Sequence, residues 1–298
     1  MLPTLLRAPA KLNLTLEVLG RRADGYHTLR SLMVPLELAD ELQLERSAEG
    51  FSFDCDDPAL AGEENLAVRA FESIAPPTRN VRLALRKRIP RQAGLGGGSS
   101  DAAAVLLAAM AGHLGAGLKR DWLSLAARLG SDVPFFLCET GALVEGTGAR
   151  VTPVGTLPSW HALLVKPPEG ISTADAYAAL DRGEFGSRLR RNSSSLQALQ
   201  ALQRADFDAL QAVLQNDFTG VVSARTPAVA VALAALRRAG ATNPILTGSG
   251  SCVFALAPDE HEIALLAERL MLPAGYRRFQ TRFRATPAWQ IHRCTSLS

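Results

Sequence analysis

The glycine-rich run at residues 90–101, Pro-Arg-Gln-Ala-Gly-Leu-Gly-Gly-Gly-Ser-Ser-Asp, constrains the fold of this chain more than any other segment. Just before it, Val81, Leu83 and Leu85 occupy every second position, the pattern of a half-buried strand, and an alanine-rich segment typical of a helix follows at 102–110. Glycines lack a Cβ atom, so their amides can approach an anion closely, and a helix N-terminus adds its unpaired N–H groups. The order strand, glycine loop, helix therefore predicts a phosphate site and hence a nucleotide ligand.

The run departs from the two common phosphate-binding motifs. It lacks the Gly-Lys-Ser/Thr ending of a P-loop, and Ser99 stands where a dinucleotide motif needs its third glycine. A flexible linker ending in a helix cap is the alternative interpretation. Three consecutive glycines in a linker would raise the conformational entropy of the unfolded chain without stabilising any structure, which disfavours that interpretation. We therefore predict that the nucleotide contacts these residues: Pro90, Arg91, Gln92, Ala93, Gly94, Leu95, Gly96, Gly97, Gly98, Ser99 and Ser100.

Length and hydrophobicity limit the class of protein. At 298 residues the chain is long for one core, and the segment between Pro153 and Pro158 predicts a boundary between domains at 1–156 and 157–298. The longest apolar runs are too short and too rich in alanine to span a bilayer, and the N-terminus lacks the apolar region of a signal peptide. We therefore expect a cytoplasmic protein without a membrane partner.

Charge and cysteine usage exclude further classes. The formal net charge of +3 is spread along the chain without a run of five like charges, which gives no support for nucleic-acid binding. Cys55, Cys138, Cys252 and Cys294 form no CxxC pair, so the sequence predicts reduced thiols and no protein-built metal site. The basic residues comprise only four lysines beside 28 arginines, so each lysine is a candidate for a role that needs a compact ammonium group.

The remaining pattern predicts a mixture of strands and helices. An Asn-Ser-Ser-Ser run at residues 192–195 reads as a mobile loop. Thr226 and Pro227 are expected to cap a helix, and Asp259 with Glu262 resembles a capping box. The predicted strands are 5–19, 33–44, 81–89, 142–154, 161–165, 253–256 and 279–283, and the predicted helices are 65–74, 102–110, 120–129, 226–238 and 259–270.

Three more segments carry groups suited to chemistry, and each has a plainer interpretation. On a strand, Lys11 and Asn13 would share one face, although such residues are commonly just solvated surface. Asp132 lies in Gly-Ser-Asp-Val-Pro and could serve only as the N-cap of a short helix with Pro134 in its first turn. The second glycine-rich run, 247–252, could be only a tight turn between strands.

Taken together, these segments resemble a known family of enzymes. The run 90–100 is similar to the phosphate-binding motif of the galactokinase, homoserine kinase, mevalonate kinase and phosphomevalonate kinase superfamily. Within that superfamily the chain resembles the 4-diphosphocytidyl-2-C-methyl-D-erythritol kinase family, in which Gly-Tyr-His is the most discriminating element. The matching segments are Ala-Pro-Ala-Lys-Leu-Asn-Leu at 8–14, Gly-Arg-Arg-Ala-Asp-Gly-Tyr-His at 20–27, Gly-Leu-Gly-Gly-Gly-Ser-Ser at 94–100, Gly-Ser-Asp-Val-Pro-Phe-Phe at 130–136 and Thr-Gly-Ser-Gly-Ser-Cys at 247–252.

The resemblance implies an α+β fold of two domains: an N-terminal mixed α/β domain, ribosomal protein S5 domain 2-like, and a C-terminal ferredoxin-like domain. It also implies transfer of the ATP γ-phosphate to the 2-hydroxyl of the methylerythritol unit, in the non-mevalonate route to isoprenoid precursors. Lys11 and Asp132 become the catalytic pair, with Asp132 taking the hydroxyl proton and Lys11 keeping it ionised and orienting the acceptor. Mg²⁺ is expected with ATP, held mainly by phosphates together with a hydroxyl of Ser99 or Ser100.

Other residues of the family pattern are expected to bind the cytidine end of the substrate. The resemblance implies that Tyr26 stacks on the pyrimidine, that the backbone of His27 reads its edge, and that Thr173 and Tyr177 close the other side; Asn13 is a further substrate-binding residue. The expected partner is a small cytidine diphosphate conjugate, bound by a monomer or homodimer. The alternatives are a superfamily kinase for homoserine or mevalonate, which would have no use for Gly-Tyr-His, and a non-catalytic nucleotide-binding sensor.

Overall fold

The computed structural model describes residues 4–75, 80–115, 120–138, 140–181, 193–285 and 292–293. Asn192 and Cys294, noted above, lie outside these ranges. The strands are β1 (Thr4–Asn13), β2 (Thr15–Arg21), β3 (His27–Arg46), β4 (Phe51–Cys55), β5 (Val81–Arg86), β6 (Ala142–Gly146), β7 (Arg150–Pro153), β8 (His161–Lys166), β9 (Gln215–Asn216), β10 (Ile245–Leu246), β11 (Val253–Ala257), β12 (Arg277–Arg282) and β13 (His292–Arg293). The helices are α1 (Leu66–Ile74), α2 (Gly97–Met110), α3 (Trp122–Leu129), α4 (Val133–Phe136), α5 (Thr173–Asp181), α6 (Ser194–Gln203), α7 (Phe207–Val213), α8 (Phe218–Arg225), α9 (Pro227–Arg238) and α10 (Glu260–Arg269).

A large sheet forms around the long central strand β3. Strands β1 and β2 pair antiparallel with one edge of β3, and β5 and β6 pair antiparallel with the other edge. The sequence predicts one strand over 5–19, but the chain bends at Leu14 and divides that segment into β1 and β2. Two short strands from later in the chain extend the sheet, β9 beside β2 and β13 beside β1.

An irregularity in the pairing of β1 with β3 directs the backbone of β1 toward the glycine-rich loop. The register shifts between Pro9 and Lys11, where the strand faces Pro35, a residue with no N–H to donate. At this point the amide of Lys11 donates instead to the carbonyl oxygen of Leu95, 3.0 Å away. The irregularity therefore ties the strand that carries Lys11 to the loop before α2.

The predicted order of strand, loop and helix around the glycines is confirmed by β5 and α2. Helix α2 is buried nearly all round, and its alanines let it pack closely against α1 and β1. Helix α1 is capped by Asn65, whose side chain accepts from the amide of Ala67 at 2.9 Å. These helices cover one face of the large sheet, where Leu6, Leu42 and Phe71 lie in the shared core.

The opposite face of the large sheet packs against the second half of the chain. Strands β8, β10, β11 and β12 form a separate antiparallel sheet in the order β10-β11-β8-β12. Because side chains alternate across a strand, Leu164 points toward Leu12 and Val34 of the large sheet, whereas Leu163 and Val165 point toward α8, α9 and α10. The molecule is thus an α+β fold in which the two sheets are stacked and helices cover the outer faces.

One local prediction is wrong, and another is confirmed in position. The segment Ser193–Ser195 is not a mobile loop: Ser193 is the N-cap of α6, with its side chain accepting from the amide of Leu196. The backbone amides of Ser194 and Ser195 donate to the buried carboxylate of Glu17 on β2, a long-range partner that a local pattern could not reveal. Thr226 does occupy the N-cap position of α9, but its hydroxyl makes no capping hydrogen bond.

The predicted domain boundary falls between β7 and β8, where the chain leaves the large sheet and enters the small one. Because β9 and β13 return to the large sheet, the division into 1–156 and 157–298 stays a prediction. Within the described ranges, no single helix is long and apolar enough to cross a membrane; α8 and α9 reach that length only as a pair bent by 115°. The three described cysteines, Cys55, Cys138 and Cys252, are free thiols.

Candidate active site

A cavity of about 690 Å³ opens where the start of α2 meets β1 and the second half of the chain. Its walls include every predicted nucleotide-binding residue from Pro90 to Ser99. Five residues predicted to act on or bind the substrate also line it: Lys11, Asn13, Asp132, Thr173 and Tyr177. Ser100, Tyr26 and His27 are not among the lining residues. The fold thus brings most of the predicted site into one space.

The start of α2 presents unpaired backbone donors to this cavity. The first hydrogen bond within the helix runs from the amide of Ser100 to the carbonyl oxygen of Gly96, 2.9 Å away. The amides of Gly97, Gly98 and Ser99 therefore have no acceptor within the helix, and all three residues line the cavity. Gly96 reaches the helix with a φ of 73°, a left-handed conformation that favours glycine. An anion placed here would meet both the amides and the positive end of the helix dipole.

The two serines that follow the glycines have different environments. Ser99 lines the cavity, whereas Ser100 is fully buried and its hydroxyl has no hydrogen-bond partner among the described residues. Of the two hydroxyls expected near the phosphates, only that of Ser99 faces the space a nucleotide would occupy. The described residues contain no group of three or more histidine, cysteine or acidic side chains able to hold a metal ion.

Lys11 is the centre of a buried polar group rather than part of a solvated surface. Its side chain is 3% exposed, and its Nζ atom donates to Asn13 Oδ1 and lies 3.6 Å from Asp132 Oδ2. Asn13 Nδ2 in turn donates to Ser31 Oγ at 2.8 Å, which fixes the orientation of the Asn13 amide. The strand alternation therefore places Lys11 and Asn13 on the face that the sequence predicts, with an acidic partner opposite.

Burial lowers the pKa of the Lys11 ammonium, and the nearby Asp132 carboxylate only partly opposes this effect. A lysine in this setting loses its proton at a lower pH than an exposed lysine, whose pKa is about 10.4. Its charge depends on the carboxylate beside it. The two side chains are thus electrostatically coupled within the cavity.

Asp132 does not act as a helix cap. It precedes α4, but its side chain makes no capping hydrogen bond to that helix. The carboxylate is 31% exposed and faces the cavity instead. The plainer interpretation of Asp132 as only an N-cap is therefore wrong, and its oxygens are available to a ligand.

The second glycine-rich run is more than a turn, because it packs directly on the first. A Cβ atom on Gly94 would lie 2.0 Å from the carbonyl oxygen of Thr247, and one on Gly248 would lie 3.2 Å from Lys11 Nζ. Ser251 donates from its amide to the carbonyl oxygen of Gln92 at 3.2 Å. Because Gly248, Ser249 and Gly250 also line the cavity, they belong to the site although no role was predicted for them. The repeated glycines were the signal that could have indicated this close approach.

The aromatic residues expected around a pyrimidine are arranged differently from a simple sandwich. The ring of Tyr177 stacks on the imidazole of His27, with centroids 4.7 Å apart, and meets Phe218 edge-on. His27 Nε2 also pairs with Asp181 Oδ1 at 2.7 Å. Tyr26 is 68% exposed at the end of the hairpin and does not line the cavity. One face of Tyr177 is thus covered by His27, not by Tyr26.

Two residues that carry hydroxyl groups, Thr173 and Tyr177, line the same cavity as the catalytic candidates. Thr173 Oγ1 lies 3.1 Å from Ser249 Oγ, which connects α5 to the second glycine-rich run. Burial, with a smaller contribution from the Asp132 carboxylate, raises the pKa of Tyr177 to about 12. The phenol therefore stays protonated at neutral pH, so it can donate or accept a hydrogen bond, or stack, but does not act as a base.

The lowered pKa of Lys11 gives a testable pH dependence. We expect turnover to fall on the alkaline side at a pH below the ordinary lysine value of about 10.4, because the ammonium beside Asp132 is lost. A Lys11→Arg variant, which keeps its charge above pH 12, should have lower activity but no such alkaline decline. The measurement is kcat between pH 6 and 10.5 for both proteins. An identical decline in both would assign the titration to another group.

Comparison with known proteins gives matches along nearly the whole chain. Residues 65–140 match the GHMP kinases N terminal domain, and residues 198–272 match the GHMP kinases C terminal region. The chain is 42% identical over 270 residues to 4-diphosphocytidyl-2-C-methyl-D-erythritol kinase of Deinococcus radiodurans, covering 88% of this chain and 87% of the relative. It is 40% identical to the kinase of the same name from Symbiobacterium thermophilum, covering 88% of this chain and 93% of that protein.

Solved structures agree with these sequence matches. A crystal structure of 4-(cytidine 5'-diphospho)-2C-methyl-D-erythritol kinase superposes with a TM-score of 0.77 at 37% identity, covering 93% of this chain and 98% of the other. A homoserine kinase from Cytophaga hutchinsonii superposes with a TM-score of 0.70 at 17% identity, covering 98% of both chains. At that identity the second likeness shows the fold alone.

Proposed function

Since this chain belongs to the GHMP kinases, and within them to the 4-diphosphocytidyl-2-C-methyl-D-erythritol kinase family, we propose that it phosphorylates the 2-hydroxyl of 4-diphosphocytidyl-2-C-methyl-D-erythritol with Asp132 as the general base. It is an ATP-dependent small-molecule kinase of isoprenoid precursor synthesis. The observation that carries the assignment of roles is the pairing of Asp132 with the buried Lys11, 3.6 Å apart, in the cavity that the glycine-rich loop also lines.

In the proposed reaction the ATP phosphates lie at the start of α2, where the amides of Gly97, Gly98 and Ser99 donate to their oxygens. The acceptor hydroxyl lies between Asp132 and the γ-phosphorus. As its oxygen attacks, the proton passes to the Asp132 carboxylate, the bond from the γ-phosphorus to the bridging oxygen breaks, and ADP leaves. Lys11 places its positive charge beside the acceptor oxygen and stabilises the negative charge that develops there as the proton leaves.

The site fits a magnesium ion carried in with ATP better than one held by the protein. Of the two serines that follow the glycines, Ser99 is the one that lines the cavity, and the described residues offer no cluster of three acidic or histidine ligands. Mg²⁺ prefers phosphate, water and a few protein oxygens, and it would neutralise phosphate charge during transfer. We therefore propose that Ser99 is the protein residue nearest the ion.

The cytidine end is proposed to bind beside Tyr177, as the family pattern implies. Thr173 and Tyr177 line the cavity, whereas His27 covers one face of the Tyr177 ring. A base that stacks on that face would have to displace the His27 imidazole and approach the exposed Tyr26. Asn13, held by Ser31 next to Lys11, would contact the substrate near the reacting hydroxyl.

Tyr177→Ala is expected to raise KM for the cytidyl substrate by about five- to a hundredfold, because one stacked base contributes ~1–3 kcal/mol. KM for ATP should change little, since Tyr177 is not among the residues proposed to contact the phosphates. Tyr177→Phe is the matched control and should restore most of the affinity, because stacking needs the ring. Steady-state kinetics with each substrate varied in turn will measure both values. An unchanged KM for the cytidyl substrate in Tyr177→Ala would place the base elsewhere.

A substrate comparison tests the proposed function as a whole. ADP release is measured with the cytidyl methylerythritol substrate, with mevalonate and with homoserine, each at several concentrations. We expect kcat/KM for the cytidyl substrate to exceed the other two by at least about 10³, the order expected when a site pairs with polar groups that a competitor lacks. A preference for mevalonate or homoserine would overturn the substrate assignment. The absence of ADP release with all three would favour a nucleotide-binding sensor.

A further inference from the structure

A buried cluster of three ionisable side chains lies beneath the glycine-rich loop and has no place in the reaction described above. Lys87 Nζ donates to Asp40 Oδ2 at 2.5 Å and to Asp101 Oδ2 at 2.6 Å. The side chains of Asp40, Lys87 and Asp101 are 0%, 9% and 2% exposed. Burial raises the pKa of the Asp101 carboxyl to about 8, and burying ionisable groups together is unfavourable unless their geometry is well defined, so the cluster needs an explanation.

The cluster joins the two ends of the loop. Asp40, on β3, accepts hydrogen bonds through Oδ1 from the amides of Arg88 and Ile89, at 2.5 and 2.8 Å, and these residues directly precede Pro90. Asp101 lies at the other end, as the fifth residue of α2. One ammonium group, that of Lys87, therefore connects the segment that enters the loop with the helix that leaves it.

The cluster also packs against the phosphate-facing glycines. A Cβ atom on Gly97 would lie 3.4 Å from Asp40 Oδ2 and 3.1 Å from Ile89 Cγ2. Lys87 and Asp101 both reach the wall of the cavity. Any shift of Lys87 relative to α2 would therefore move the amides of Gly97 and Gly98.

From this geometry we propose that Asp40, Lys87 and Asp101 are positioning residues for ATP, which hold the loop at residues 90–96 and the first turn of α2 in the arrangement that receives the phosphates. The proposal rests on the proposed function, because it assumes that ATP binds at this loop. The three side chains act through the backbone and need not touch the nucleotide. Preorganised amides lose binding energy when they are displaced by even a fraction of an ångström, since each must meet a phosphate oxygen at hydrogen-bond distance.

The charges of the cluster suggest how to test this without unfolding the protein. Burial opposes the charge of Lys87, but Asp101 and Asp40 outweigh it and raise the pKa of the ammonium above its ordinary value. Removing Lys87 would therefore leave two buried carboxylates side by side, which is strongly destabilising. Removing Asp101 instead leaves one ammonium paired with one carboxylate. Asp101→Ala is accordingly the cleaner variant, because it breaks the tie to α2 and keeps the remaining charges balanced.

The test compares Asp101→Ala, Asp101→Asn and Lys87→Met with the unaltered protein, using calorimetric titration with a nonhydrolysable ATP analogue and steady-state kinetics. We expect Asp101→Ala to weaken binding of the analogue and to raise KM for ATP, each by roughly ten- to a hundredfold, the range for losing one charge-assisted hydrogen bond. KM for the alcohol substrate should stay within about twofold, because its pocket is built by other elements. Asp101→Asn should recover most of the ATP affinity, because its amide oxygen can still accept from Lys87.

Arg82→Met provides a matched control on β5, the strand that ends directly before Lys87. Arg82 forms an exposed ion pair with Asp54 at 2.7 Å and does not touch the loop, so neither KM should change. Equal ATP affinity in Asp101→Ala and the unaltered protein would overturn the positioning proposal, even if Lys87→Met fails to fold. Parallel losses of affinity for ATP and for the alcohol would also overturn it, because they would indicate a general structural role. Failure of the unaltered protein to bind the ATP analogue would instead refute the proposed function.

Discussion

Asp132→Asn is expected to reduce kcat by about 10²–10⁴, the usual cost of losing a general base, while the protein still binds ATP. The amide has nearly the same shape as the carboxylate but cannot accept the proton of the attacking hydroxyl. Stability should be little changed, because Asp132 makes no capping hydrogen bond to α4 and its side chain is partly exposed. Single-turnover phosphoryl transfer, calorimetric ATP binding and a thermal melt separate these effects.

Asp259→Ala is the control, and we expect it to lose stability and keep its turnover. Asp259 is a true N-cap, accepting from the amide of Glu262 at 2.8 Å, and it is remote from the cavity. Its replacement should lower the free energy of unfolding by about 1 kcal/mol and leave kcat unchanged. If Asp132→Asn lost stability but kept its turnover, Asp132 would be a structural residue and the assignment of the base would be wrong.

Gly94→Ala is expected to have the second large effect, through the contact between the two glycine-rich runs. Gly94 has a φ of 70°, where an alanine costs roughly 1–2 kcal/mol, and the new Cβ atom would lie 2.0 Å from the carbonyl oxygen of Thr247. Relieving such a clash by moving backbone costs about another 1–3 kcal/mol. Because both runs line the cavity, the displacement that relieves this strain in the free protein would have to be reversed when ATP binds, so we expect ATP affinity to fall by between roughly 30-fold and several thousandfold, at about tenfold per 1.4 kcal/mol.

Gly98→Ala provides the matched change within the same run. A Cβ atom on Gly98 would meet only Leu66 Cδ1, at an ordinary 3.5 Å, and Gly98 already lies within α2. The affinity of the Gly98→Ala variant for a nonhydrolysable ATP analogue should therefore stay within about tenfold of that of the unaltered protein, since alanine is favourable within a helix. Calorimetric titration of both variants decides the matter. Equal affinities for Gly94→Ala and Gly98→Ala would mean that contact between the runs does not shape the nucleotide site.

The parts of the site that could be predicted from sequence depend on local rules. Side chains alternate along a strand, so residues two positions apart, such as Lys11 and Asn13, lie on the same face. The first amides of a helix have no acceptor within it, so a glycine run at a helix start leaves donors free. The capping role of Asp259 follows from the same kind of short-range pattern, and its side chain does accept from Glu262. The fold class followed from motif resemblance, not from these rules.

The parts that could not be predicted depend on contacts between distant segments. The run 193–195 looked mobile because serines favour loops, but Glu17 on β2 holds its amides at the start of α6. His27 covers one face of Tyr177, and Gly94 packs on Thr247, although the residues of each pair are more than a hundred positions apart in the sequence. A local pattern such as repeated glycines can indicate a close approach, but it does not identify the partner, because the pair forms only when distant segments pack together.

The most direct test of the central claim is to identify the product. The protein is incubated with ATP, Mg²⁺ and 4-diphosphocytidyl-2-C-methyl-D-erythritol, and the mixture is analysed by mass spectrometry and phosphorus NMR, with Asp132→Asn in parallel. We predict a product heavier by one phosphoryl group, with a new phosphomonoester on the 2-hydroxyl, formed with one ADP per product and almost absent with Asp132→Asn. Release of ADP without that phosphomonoester, or a phosphate on another hydroxyl, would contradict the proposed function.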